Sequence, residues 1–119
     1  DDSDERTALV REYAEAWGLD PSDAAVSGLA DVWHATNGGG DGRKIGPAIL
    51  QDMMAQVERA PHTIIERALT QAVSNYVFPQ LEGSPDRRAV VRSIANTDHV
   101  DESRLWQLAG DVLRVRADG

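Results

Sequence analysis

The clearest structural signal in this chain lies between residues 61 and 79, which read PHTIIERALTQAVSNYVFP. Pairs of apolar residues recur here every four positions, from Ile64-Ile65 to Tyr76-Val77, with polar residues between them. This spacing places one apolar stripe along one face of an α-helix. We expect Pro61 to open the helix and Pro79 to end it, because the residue before a proline is pushed out of the helical region.

The segments on either side of this stretch also have helical spacing, and none of useful length alternates with the period of a β-strand. The sequence therefore predicts an all-α fold, a compact bundle of five to six short helices, in a single domain that spans residues 1–119. Three tryptophans fall within apolar stripes and are expected to be largely buried: Trp17, Trp33 and Trp106. The expected helix boundaries are Gly18 after the first helix and Asp20-Pro21, Gly46-Pro47, Ser84-Pro85 and Asp101 before later ones.

The composition is that of a globular protein, with 41% hydrophobic and 27% charged residues and no cysteine. No apolar run approaches the roughly 20 residues that a membrane helix needs. The chain begins Asp1-Asp2-Ser3-Asp4-Glu5, without methionine and without a basic, then apolar leader. We expect a soluble, cytoplasmic piece of a longer protein, with no signal peptide.

The charge is strongly acidic, because 20 Asp and Glu face 12 Lys and Arg, a formal net charge of −8. Lys44 is the only lysine. Such a surface stays hydrated in concentrated salt, where charge pairs are screened over a few ångströms, and this favours a halophilic archaeon as the source. A GC-rich genome, whose codons also favour Arg, Asp, Ala and Gly, is the alternative explanation. In either case the net field repels nucleic acid and anionic lipid.

The residue types that carry catalysis or bind metals do not form recognisable patterns. His34, His62 and His99 lie on three separate segments, none at the spacing of metal ligands to another. The sequence contains no G-x-S-x-G motif, so nothing indicates a nucleophilic serine. The acidic cluster at residues 98–102 is typical of a helix N-terminus, where aspartates cap the helix. We therefore predict no catalytic residue and no metal ligand in this chain.

A glycine-rich loop is expected at residues 37–42, from Asn37 to Gly42, and leads into Arg43 and Lys44. A phosphate-binding loop, however, needs a glycine directly before its lysine and a Ser or Thr directly after it. Arg43 and Lys44 instead stand just ahead of Gly46-Pro47, where a helix is expected to begin. The free N–H groups of a helix start and two cations together attract phosphate. The alternative is a hydrated linker whose basic residues balance an acidic surface.

Two segments carry a resemblance to a known family. Residues 43–50, RKIGPAIL, followed by residues 76–83, YVFPQLEG, resemble the C-terminal helical lid of AAA+ ATPases, nearest to the MoxR-type and the methylcytosine-restriction (McrB-type) groups. The resemblance covers about Tyr13 to Leu113. It implies a lid over nucleotide held by a preceding α/β subdomain, with ATP and Mg bound only in the full-length protein.

The same resemblance implies which residues contact the nucleotide and what partners the chain has. Gly46 and Pro47 match the start of the lid helix that faces the nucleotide, with Arg43 and Lys44 just upstream. Many members place an arginine directly after that turn, whereas this chain has Ala48. The implied partners are the preceding α/β subdomain and neighbouring subunits of a ring, and the chain alone is not expected to be an enzyme.

Two other functions remain open. Arg87, Arg88 and Arg92 share a helix that a short turn joins to the next, as in a helix-turn-helix DNA-binding unit. The negative net charge makes direct binding to nucleic acid a weaker hypothesis. The other alternative is a helical protein-interaction module that docks a partner through an apolar groove.

Overall fold

A computed structural model describes residues 2–38, 45–60 and 63–117, and within these ranges it contains helices and no strand. The prediction of an all-α fold is confirmed, with six helices. The predicted compactness is confirmed as well, because the radius of gyration is 13.3 Å and about 13.5 Å is expected for a folded chain of this length. The helices are α1 (Asp2–Trp17), α2 (Asp23–Gly38), α3 (Pro47–Glu58), α4, α5 (Arg87–Ala95) and α6 (Glu102–Val112). Helix α4 runs through three continuous segments, Ile65–Ala72, Val73–Val77 and Phe78–Leu81.

The end of α1 follows the sequence prediction. Gly18 has a φ of +73°, a left-handed conformation that glycine adopts without a steric penalty. The Leu19 amide donates to the Ala14 carbonyl at 2.9 Å, and the Gly18 amide donates to the Glu15 carbonyl at 3.2 Å. This pair of bonds is the Schellman motif, which satisfies the last carbonyls of the helix.

Of the four helix starts that a proline signalled, only that of α3 at Gly46-Pro47 was predicted correctly. Helix α2 does not begin at Asp20-Pro21 but at Asp23, where the Ser22 hydroxyl accepts a hydrogen bond from the Ala25 amide at 3.2 Å. Pro21 is instead buried beside the helix. Helix α4 begins at Ile65 rather than at Pro61, which lies outside the described residues, and α5 begins two residues after Pro85. A proline suits the first helical position and also the residues just before a helix, so by itself it does not fix the first residue.

The prediction that Pro79 ends the fourth helix was wrong. The chain passes through a π-helical turn at Val73–Val77 and continues helically to Leu81. At the end of this turn the Phe78 amide donates to the carbonyl of Val73, five residues earlier, whereas an α-helical amide donates to the carbonyl four residues earlier. A π-turn already departs from the ordinary ladder, so a residue without an N–H is tolerated there.

Helix α2 is the centre of the bundle, because it packs against α1, α3, α4 and α5. Its apolar face is completely buried at Val26, Leu29 and Val32. The expectation for the tryptophans holds only in part, since all three pack against the core but remain partly exposed. The largest fully buried side chains elsewhere are Phe78, Leu50, Met53, Met54, Leu69, Leu81, Ile94 and Leu105.

Candidate functional site

The start of helix α3 is exposed and has no side-chain cap. Gly46 occupies the N-cap with φ −94° and ψ −178°, and Pro47 is the first helical residue, as the sequence predicted. Pro47 has no N–H, and the first intrahelical bond runs from the Leu50 amide to the Gly46 carbonyl at 3.4 Å. The amides of Ala48 and Ile49 therefore precede the helical ladder and point out of the helix end.

The residue before this helix start is fixed to the end of α2 by a set of hydrogen bonds that we call the Ile45 clamp. The Asn37 side chain accepts from the Ile45 amide at 2.8 Å and donates to the Ile45 carbonyl at 3.2 Å. The Trp33 indole N–H donates to the same carbonyl at 3.1 Å. Ile45 is 4% exposed, so its aliphatic side chain joins the core as well.

An aromatic cluster lies next to the clamp. The rings of Tyr13 and Trp17 stack with their centroids 5.1 Å apart, and Tyr13 meets Trp33 edge-on at 5.9 Å. Trp33 thereby links the cluster to Ile45. Sequence reasoning assigned Trp33 to a stripe and Asn37 to the glycine loop, and missed that both hold the residue ahead of Gly46. Asn at a helix end commonly bonds to nearby backbone, but this general preference does not identify Ile45, eight positions away, as the partner of Asn37.

The predicted site residues are thus described in part. Gly46 and Pro47 lie together at the exposed helix start, with Ala48 exposed behind them. Arg43 and Lys44 lie outside the described residues, and so does most of the glycine loop. Asn37 and Gly38, which were assigned to that loop, form the last turn of α2 instead.

A polar junction joins α1, α2 and the turn before α6. Asp31 Oδ1 lies 3.9 Å from Arg6 Nη2, and Asp31 Oδ2 lies 3.8 Å from His99 Nδ1. Arg6 Nε and His99 Nδ1 are buried and find no hydrogen-bond partner within the part of the chain that the structure describes. Distances near 3.8 Å are too long for direct hydrogen bonds, so these groups are neighbours in charge and not hydrogen-bond partners. Among the described residues, no three His, Asp or Glu side chains come close enough together to hold a metal ion.

The arginines considered for DNA binding are largely engaged within the domain. Arg87 donates from Nε to the Leu113 carbonyl at 3.0 Å and from Nη1 to the Ser84 carbonyl at 2.9 Å. Arg92 donates to the Ala117 carbonyl at 2.6 Å and lies over the Trp106 ring at 5.9 Å. These two guanidinium groups fasten the segment that follows α6, so their side chains have a structural role.

No family model, curated protein or solved structure matches this chain. Within the described ranges, every helix is too short or too polar to cross a bilayer.

Proposed function

We propose that this domain is the C-terminal helical lid of an AAA+ ATPase, and that it closes over nucleotide held by an α/β subdomain. The observation that supports the proposal is the exposed, uncapped start of α3, held in place by the Ile45 clamp. Open backbone N–H groups at a fixed position form a surface that a phosphate or a ribose oxygen can approach. The all-helical bundle fits the architecture that the resemblance implies.

In this proposal the lid contributes one wall of the nucleotide pocket. Arg43 and Lys44, immediately before the clamp, supply positive charge, and the Ala48 and Ile49 amides supply donors. Ala48 brings no charge of its own, so the contribution of α3 comes from its backbone. The groups that bind ATP and Mg and carry out hydrolysis belong to the α/β subdomain, and the lid passes the nucleotide state to a neighbouring subunit of the ring by a hinge motion.

The deciding experiment uses the full-length protein. Replacing Arg43 and Lys44 together by alanine is expected to weaken nucleotide binding or turnover about tenfold, or about 1.4 kcal/mol, the scale of one or two partly exposed charge-assisted contacts. The matched control is Arg67→Ala with Arg116→Ala, which removes the same charge from two exposed positions elsewhere. Wild-type turnover in the Arg43/Lys44 variant, or an equal loss in the control, would end the case for these two residues.

The other two functions are separated by titrating the isolated domain, labelled for NMR, with ATP and with duplex DNA. The lid proposal expects weak ATP-dependent shifts centred on residues 45–50 and no hydrolysis. DNA-dependent shifts centred on Arg87, Arg88 and Arg92, with none near Gly46 from ATP, would favour DNA binding. No response to either ligand, together with wild-type turnover of the full-length double variant, would favour a protein-interaction module.

The acidic surface supports a second part of the proposal, that the protein works in the salt-rich cytoplasm of a halophilic archaeon. Repulsion among 20 carboxylates is screened as salt rises, so the melting temperature is expected to increase between low and molar potassium chloride. A melting temperature that stays flat or falls would leave a GC-rich genome as the explanation of the composition.

A further inference from the structure

A groove of about 400 Å³ opens between the start of α2, the end of α3 and the start of α4. Its floor is apolar and is formed by Pro21, Val57 and Ala68, all of which are buried. Its rim carries Asp20 and Glu58. The groove lies at the opposite end of α3 from Gly46, so it is separate from the proposed nucleotide contact.

The charge of the lining has one sign. Among the described residues that line the groove, Asp20 and Glu58 are the ionisable ones, and both are acids. The Asp20 amide donates to Glu58 Oε2 at 2.9 Å, which fixes the Glu58 carboxylate at the rim. One such bond leaves a carboxylate with further lone pairs, and the Asp20 side chain is exposed to solvent. The rim can therefore accept hydrogen bonds from a cation above an apolar floor.

An exposed aliphatic residue lies next to the groove lining in the chain. Ile64 is 62% exposed and lies in the chain between Thr63 and Ile65, both of which line the groove. It occupies the N-cap of α4 without a side-chain cap bond, a position where Ser, Thr, Asp or Asn would stabilise the helix. A solvent-exposed isoleucine at a cap position contributes little to the fold, whereas it suits contact with an apolar partner.

We propose that this groove docks a basic amphipathic segment of a partner protein. Apolar side chains of that segment contact the floor and Ile64, while an arginine or lysine lays its aliphatic stem across the floor and places its charged head between Asp20 and Glu58. Opposite charge selects this kind of partner over an acidic one. The inference does not depend on the lid function.

The test measures binding of a fluorescein-labelled peptide of about 14 residues, built from leucine, alanine and arginine at helical spacing, by fluorescence anisotropy. The control peptide carries citrulline, which is uncharged and nearly isosteric, in place of each arginine. Wild-type protein is expected to bind the arginine peptide at least fivefold more tightly. Equal binding of the two peptides, or no binding of the arginine peptide, would overturn the proposal.

Protein variants locate the binding surface. Asp20→Asn with Glu58→Gln keeps the amide-to-side-chain bond but removes both charges, and it is expected to weaken binding about tenfold, about threefold for each rim carboxylate. Thr63→Lys adds a repelling charge at an exposed rim position and is expected to weaken binding to a similar degree. Ile64→Ser removes the apolar contact and should weaken binding of both peptides.

The matched control is Glu102→Gln with Asp111→Asn, which removes the same charge from two exposed sites on α6 and should change affinity less than twofold. Far-UV circular dichroism and thermal melting verify that each variant is folded. Equal weakening in the control and the groove variant would mean that net charge alone attracts the peptide, which would also overturn the proposal.

Discussion

Substituting Gly28 tests the close approach of α4 and of the turn before α6 to helix α2. A Cβ atom added at Gly28 would lie 2.8 Å from Leu69 Cδ2 and 2.9 Å from His99 Cβ. Leu69 belongs to α4 and is completely buried, whereas His99 lies in the turn before α6. The Cβ of His99 is attached directly to the backbone, so no rotation of its side chain relieves the contact. In Gly28→Ala the turn must therefore move away from α2.

Two opposing effects set the magnitude. Replacing glycine by alanine inside a helix favours folding by about 1 kcal/mol. Forcing a methyl group into a well-packed interior costs about 1–3 kcal/mol, and two contacts below 3.0 Å place this site in the upper half of that range. The net expectation is a loss of about 1–2 kcal/mol in the free energy of unfolding. For a domain of this size, that lowers the melting temperature by about 3–10 °C.

Thermal and urea unfolding, followed by far-UV circular dichroism, measure this loss. The matched control is Gly38→Ala at the last residue of the same helix, where an added Cβ meets no atom of the described residues within 4 Å. That variant is expected to be neutral or more stable by up to about 1 kcal/mol. If Gly28→Ala were stabilised as much as Gly38→Ala, the close approach of His99 and Leu69 to α2 would be refuted.

Three further predictions concern local contacts. Asp101→Ala removes the Oδ1 atom that accepts from the Arg104 amide at 3.1 Å, so the free energy of unfolding measured in urea should fall by about 1 kcal/mol. Asp98→Ala, a control in the exposed turn before α6, should leave it almost unchanged. Asn37→Ala breaks both bonds of Asn37 to Ile45, so it should lower the free energy of unfolding by about 1–3 kcal/mol and speed hydrogen exchange of the Ile45 amide. Trp33→Phe, the control, should leave that amide protected. Unchanged exchange in Asn37→Ala would contradict the clamp. Leu69→Ala should lower the free energy of unfolding by about 2–5 kcal/mol because Leu69 is 0% exposed. Ile64→Ala should lower it by less than about 0.5 kcal/mol because Ile64 is 62% exposed. Similar losses in the two variants would mean that their burial is misassigned.

At the site, the sequence predicted the start of α3 but not what holds it. Gly46-Pro47 is a local signal, since the proline restricts the residue before it and favours the first helical position. The Ile45 clamp joins residues 8 and 12 positions apart, and nothing in the local pattern of Trp33 or Asn37 marks them as partners of Ile45. Two of the three arginines considered for DNA binding show the same limit. The bond of Arg87 to Leu113 spans 26 positions and that of Arg92 to Ala117 spans 25.

For the fold, the sequence alone determined the helical class, the glycine end of α1 and the aspartate cap of α6. Each of these follows from interactions within about one helical turn, which neighbouring residues specify by themselves. Only the tertiary structure decided that the chain passes Pro79 in helical form and that Pro21 is buried beside α2. The start of α2 at Asp23 rests on the local Ser22 cap, a signal that the sequence offered and the proline obscured. At Pro79, the burial of Phe78 and Leu81 stabilises a backbone path that local preferences disfavour.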